Sequence, residues 1–219
     1  MKKKILSLTL VVCLLAIAVV GGTLAYFTDT ENEVTNTFTV GNVQIKLDET
    51  DVDVYGDATG NGRLEEGNEY KLIPGHTYTK DPMVTVAAGS EPCYVRMLVK
   101  VNDVEALKTA FPTLVDQATD VFLLQELTKD EAGVMTWNPN WEYAGYNDGV
   151  YEFRYNAVVD ARTGVQELPE LFTDITVPAG TTGTALAELE DLGITVYAQA
   201  IQEDGFANAA AAFAELPTV

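Results

Sequence analysis

The sequence predicts an all-β fold: a jelly-roll-like antiparallel β-sandwich with short helices in its connections and a short C-terminal helix. Three observations carry this. Short apolar runs with period-two alternation recur along the chain, separated by Gly, Pro and Asn-rich turn signals. These runs do not alternate regularly with helical segments, which argues against a parallel βαβ sheet. The 219 residues, 47% of them hydrophobic, suffice for one domain with a sizeable core.

In chain order, Val43, Ile45 and Leu47 alternate with Gln44, Lys46 and Asp48 after a Gly41-Asn42 turn signal, giving a half-buried strand. Residues 48–69 differ. Eight acids (Asp48, Glu49, Asp51, Asp53, Asp57, Glu65, Glu66, Glu69) accompany one base, Arg63, and glycines punctuate them, so this stretch reads as a solvated acidic loop or hairpin insertion. Pro74-Gly75 marks a turn and residues 83–87 a short strand. From Cys93 to Val101 the alternation is clean, with Cys93, Val95, Met97, Val99 and Val101 on one face. Val104, Leu107, Ala110 and Phe111 then switch to helical spacing behind Asn102 or Asp103 as cap, stopped by Pro112. Residues 114–127 are ambiguous between short helical and extended pieces. Asn147-Asp148-Gly149 is a hairpin signal between two aromatic-rich runs. Residues 172–177 and 193–202 read as strands, 185–192 as a short helix, and the Ala-rich 206–216 as the C-terminal helix, for a total of about eight strands.

The formal net charge is −20, from 33 acidic and 13 basic residues. Such a surface repels phosphate, which excludes nucleic-acid binding through a basic patch and disfavours anionic lipid. The N-terminus reads as an export signal over residues 1–25. Lys2, Lys3 and Lys4 precede an apolar run from Ile5 to Val20, and Thr23-Leu24-Ala25 places small residues before a cut between Ala25 and Tyr26. The alternative is an uncleaved anchor; either way the remainder is sent outside. Cleavage leaves no membrane attachment and ten basic against 33 acidic residues, a net −23. The expected organisation is a signal peptide (1–25), an N-terminal segment (26–41) able to serve as a donor strand, and one sandwich domain (42–219) carrying the acidic insertion (48–69).

Catalytic candidates are few. Beyond the signal there is one His (His76), one Ser (Ser90) and one Cys (Cys93). Ser90 lacks the flanking glycines of a nucleophile elbow, Cys93 opens an apolar strand face, and a single His cannot supply a zincin helix. No catalytic residue and no organic cofactor is expected. The rings Trp137, Trp141, Tyr143, Tyr146, Tyr151, Phe153 and Tyr155 read as sheet core and cross-strand pairs rather than a glycan platform. The best metal candidate is a calcium loop starting at Asp57. Asp57, Thr59 and Asn61 fall at its positions 1, 3 and 5, Gly62 at the sharp turn, and Asn68 rather than a bidentate Glu at position 12.

Gly21-Gly22-Thr23-Leu24-Ala25 followed by Tyr26-Phe27-Thr28-Asp29, then Asn36-Thr37-Phe38-Thr39-Val40-Gly41-Asn42-Val43, resembles the start of the TasA/camelysin family. Leu72-Ile73-Pro74-Gly75 with Thr79-Lys80-Asp81, and the late run from Ile194 to Gln202 followed by Asp204-Gly205-Phe206, are similar to that family's turn and C-terminal strand. The resemblance implies export through a SipW-type signal peptidase, secretion to the extracellular matrix or cell surface of a Gram-positive cell, and self-assembly into biofilm fibres. In such fibres the mature N-terminal segment of one subunit completes the sheet of the next, by strand addition to an exposed edge. Here Tyr26, Phe27, Val34, Phe38 and Val40 would supply the apolar side chains. The family's description as metalloendopeptidases is not carried over, for want of the residues. A calcium- or glycan-binding surface module without fibres is the competing reading.

Overall fold

The computed structural model describes residues 42–217. The expected signal peptide, the cleavage pair Ala25/Tyr26 and the assembly residues Tyr26, Phe27, Val34, Phe38 and Val40 lie outside them. In chain order the elements are β1 (Ile45–Val52), β2 (Ala58–Leu64), β3 (Thr77–Thr79), β4 (Met83–Val86), β5 (Cys93–Val101), helix α1 (Val104–Ala110), β6 (Val115–Asp116), β7 (Val121–Phe122), β8 (Trp141–Asn147), β9 (Val150–Tyr155), β10 (Gln166–Glu167), β11 (Asp174–Thr176), helix α2 (Gly183–Ala187), β12 (Ile194–Gln202) and helix α3 (Ala209–Phe213). Every strand pair is antiparallel. Two four-stranded sheets, ordered β10-β4-β1-β2 and β12-β5-β9-β8, share one core, and two ribbons, β11-β3 and β6-β7, close its sides. This is the all-β antiparallel sandwich expected. There are more strands than the eight read from sequence, because two- and three-residue strands carry no periodicity of their own.

The period-two run at β5 forms the centre. Cys93, Val95, Met97 and Val99 are fully buried and meet Val43, Ile45, Leu47, Val84 and Val86 of the facing sheet. On the other face of β5, Arg96 and Leu98 are buried as well. Helix α3 is the reason on the Arg96 side: Phe213, Ala212 and Leu216 form a second small core with Ile201. Arg96 donates through Nε to Gln199 Oε1 (2.7 Å) and through its terminal nitrogen to the Pro217 carbonyl (3.2 Å). Its guanidinium carbon lies 4.7 Å from the Phe213 ring centroid. A charged residue thus pins the end of the chain onto the sheet.

Turn chemistry acts where expected. Asp103 caps α1 by accepting from the Ala106 N–H, and the helix stops at Phe111 before Pro112. Asp148 and Gly149 have φ of 46° and 81°, the two left-handed residues of a type I′ hairpin turn joining β8 to β9. A Cβ on Gly149 would stand 2.9 Å from the Val101 carbonyl oxygen, so this position requires glycine twice over. The ambiguous 114–127 stretch resolves into two 3₁₀ turns around the β6–β7 ribbon.

The acidic insertion is the main correction. It is a hairpin, but not merely a solvated one. β1 continues through Asp48 and Glu49, which are buried. β1 pairs with β4 up to Asp48 and with β2 from Glu49 onward. At that changeover Arg63 donates to Asp48 (2.5 Å) and Asp81 (2.7 Å), and to both their main-chain carbonyls. Asp81 accepts from the Thr50 N–H and hydroxyl, each at 2.7 Å. Lys80 donates to Glu49 at 2.8 Å. Truncating Arg63 leaves the largely buried Asp81 carboxylate without its cation and Asp48 with only the half-exposed Lys46, 3.1 Å away, which costs about 3 kcal/mol. Urea unfolding of Arg63→Ala is expected to show a loss of that order. Arg63→Lys is expected to recover only part of it, since an ammonium cannot span the fork between Asp48 and Asp81.

Candidate functional site

The side chains considered for catalysis do not converge. His76 sits in the turn after Pro74-Gly75, its Nε2 2.6 Å from the Tyr55 carbonyl and its ring edge-on to Tyr78. Ser90 Oγ accepts from the Gln44 N–H and fixes the start of β1. Cys93 is fully buried, and burial pushes its thiol up to about 12. A thiol held so far above the ordinary range is protonated and inert.

The four residues of the calcium reading are distributed over the β1–β2 hairpin. Thr59 and Asn61 both donate to the Asp51 carboxylate, at 2.5 and 2.8 Å, and these bonds hold that carboxyl below its usual range. Asn68 accepts from the Val52 N–H and donates to the Thr50 carbonyl, so both ends of its amide are engaged with β1. Asp57 lies in the turn before β2, where its N–H donates to Asp53. The side chain that collects Thr59 and Asn61 is therefore Asp51, which the spacing had not marked.

The aromatic segment packs as core and ring pairs. Trp137 and Tyr143 stand against Phe153, Trp141 against Tyr155, and Tyr146 against Tyr151, with centroids 4.5–6.3 Å apart. Tyr151 and Phe153 are buried, and the Tyr151 hydroxyl donates to the Phe122 carbonyl.

The feature of the right size for a partner is an apolar groove of ≈ 930 Å³. It opens because β12 ends its sheet while β1 turns away from β4 toward β2. Ile194 and Val196 of β12 form one wall, and Leu47, Leu64, Tyr70 and Leu72 line the other. Leu107 and Phe111 of α1, with Leu186, Leu189 and Leu192 in and after α2, close the end. The Glu49–Lys80 pair lies on its floor, and Glu66, Glu69 and Glu190 also line it. Tyr70 donates to the Thr79 carbonyl, and burial pushes its phenol up, so it stays neutral. On its outer side β12 has no strand partner among the described residues. The sequence marked Leu47 on a strand face and Leu107 at helical spacing. What it did not show is that two edges leave a channel between them, because strand order is not a local property.

Fold and groove together define an all-β sandwich in which the edge strand β12, unpaired on its outer side among the described residues, borders an apolar channel. The model of the family described as camelysin metallo-endopeptidase matches residues 1–58 of this chain. The resemblance to the TasA/camelysin family is thus shown for its N-terminal part. No curated protein and no solved structure matches the chain. The family's description implies a catalytic metal, and the described residues do not fit one. The chain has a single His, already engaged with a main-chain carbonyl, and its Cys93 thiol is buried. Among the described residues no three His, Cys, Asp or Glu side chains form a group able to hold a metal ion.

Cys93 gives a measurable consequence. Its folded thiol titrates near 12 against an ordinary value of 9.0. The stability this contributes is fully present below pH 9.0 and is lost as pH rises through about 12, because the unfolded chain releases a proton that the native one keeps. Native protein at pH 8 is expected to be silent to a thiol reagent and to titrate fully in denaturant. Alkaline titration followed by circular dichroism is expected to show destabilisation only above pH 9.0.

Proposed function

We propose that this chain is an exported surface or matrix protein that assembles with copies of itself into fibres by N-terminal strand addition. Its signal is removed before Tyr26 by a signal peptidase of the SipW type, and residues 26–40 become the donor. The observation that carries this reading is the edge of β12 beside the apolar groove, unpaired among the described residues. An exposed strand edge is an aggregation liability unless it is blocked or used, and an extended apolar segment is the occupant whose main chain satisfies it. One further fact supports the reading: the camelysin match covers residues 1–58, which include the expected signal and donor segment. The protein acts through this binding rather than through catalysis. The acidic surface restrains association through self-repulsion until protons, calcium or salt reduce it.

Electron microscopy of the chain beginning at Tyr26 tests this. Fibres are expected, and they are expected to form faster at about pH 4–5, where carboxylates take up protons, or at raised ionic strength. A variant lacking residues 26–40 is expected to remain monomeric. If the chain with a native N-terminus stays monomeric in all of these conditions, the proposal fails.

A further inference from the structure

The β1–β2 hairpin carries a bulge that brings an amide together with unusual backbone freedom. Thr50 pairs with Arg63 and Val52 with Ala58, so between these pairs β1 contributes one residue, Asp51, and β2 four, Thr59, Gly60, Asn61 and Gly62. Residues added in this way stand outside the regular ladder. All four are exposed. Gly60 and Gly62 have φ of 83° and 99°, and a Cβ built on either would meet nothing within 4 Å. Glycine backbone in open space changes its dihedrals at little cost. Asn61 sits between these two glycines, and no other asparagine of the chain is followed by glycine.

We propose that Asn61 is a modification site, which deamidates in the folded chain through a cyclic imide with the main-chain nitrogen of Gly62. That nitrogen attacks Cγ of Asn61. An N–Cγ bond forms, the Cγ–Nδ2 bond breaks, and the Gly62 amide proton leaves with Nδ2 as ammonia. Water then opens the imide. Addition at Cγ gives aspartate, and addition at the Asn61 main-chain carbonyl gives isoaspartate, in which the main chain runs through Cβ. A side chain at position 62 would crowd the attacking nitrogen, and glycine has none. Other asparagines are tied at both ends of their amides. Asn68 spans the Val52 N–H and the Thr50 carbonyl, and Asn102 spans the Gly193 N–H and the Asp191 carbonyl. Asn61 is held through Nδ2, which donates to the Asp51 carboxylate at 2.8 Å. That bond is exposed, and water replaces it at small net cost.

The product changes the hairpin. Asn61 and Thr59 both donate to Asp51 and draw the bulge onto it. Aspartate at position 61 replaces one of these donors by a second carboxylate, and like charges in contact repel. Thr59 alone then holds Asp51. Arg63, two residues further on, is fastened independently by Asp48 and Asp81. The repulsion therefore loosens the bulge and leaves the alignment of β1 with β2 in place.

Peptide mass spectrometry tests the assignment on the folded full chain, aged in mildly alkaline buffer made with heavy-oxygen water. The peptide containing Asn61 is expected to take up solvent oxygen and to divide into aspartate and isoaspartate forms, with isoaspartate in excess, before any other asparagine peptide changes. Asn61→Gln is expected to fold and to stay unmodified at this position, because its longer side chain must close a larger ring. The consequence is read from melting temperature. Asn61→Asp is expected to melt a few degrees below the wild type. Adding Asp51→Asn is expected to restore most of the loss, because the amide at position 51 can donate to the new carboxylate. If the Asn61 peptide stays intact in the folded chain, or other asparagines convert first, the site is overturned. If Asn61→Asp melts with the wild type, or the double variant recovers nothing, the repulsion between positions 51 and 61 is overturned.

Discussion

The knot of charge around Arg63 is the constraint on which much else rests. β1 belongs to two pairings, and it changes from one to the other between Asp48 and Glu49. A strand that changes partners has no intrinsic reason to do so at one residue. Burying Asp48 and Glu49 supplies the reason, since each loses its solvation unless a particular cation stands opposite. Arg63 arrives only if β2 is in register, and Lys80 and Asp81 only if β4 is. The knot adds little net energy over apolar packing. What it supplies is a single permitted alignment of three strands.

That alignment creates the groove. Where β1 passes from β4 to β2, the groove lies beside β12, and residues in and after helices α1 and α2, leucines among them, line it with no further strand paired to β12 among the described residues. The opposite edge of the same sheet is treated differently. β8 carries a register break between Tyr143 and Gly145, and the φ of 152° at Gly145 belongs to glycine. Bulges of this kind discourage edge-to-edge pairing. One sheet therefore has one edge broken by a bulge and one regular edge.

How far the sequence discloses this depends on how local each feature is. β5 and β12 follow from nine residues of alternation each, α1 from a cap and a proline, and the β8–β9 turn from three residues, and all stand where they were read. The acidic insertion was half legible. Its turns are local, but the burial of Asp48 and Glu49 depends on Lys80 and Asp81, some thirty positions away. The calcium spacing shows the converse. Asp57, Thr59, Asn61 and Asn68 match a local template, yet Thr59 and Asn61, two residues apart and so on one face of β2, both bond to Asp51 across the ladder, a partner no local template marks. The groove was illegible because it is a gap between elements, and only strand order makes gaps.

The clamp at Arg96 also bears on how the molecule comes into being. Its bond to Gln199 joins positions 103 apart in sequence, and its bond to Pro217 positions 121 apart. Ladders closed across such distances form slowly, because the intervening chain must first be ordered. β12 is the final strand of its sheet among the described residues, and it is held from behind by the last helix. Its open edge therefore exists only once nearly the whole chain has been delivered and folded. A chain still being delivered lacks both that strand and the helix behind it. Completion of that sheet is thereby confined to nearly whole chains, an ordering set by topology.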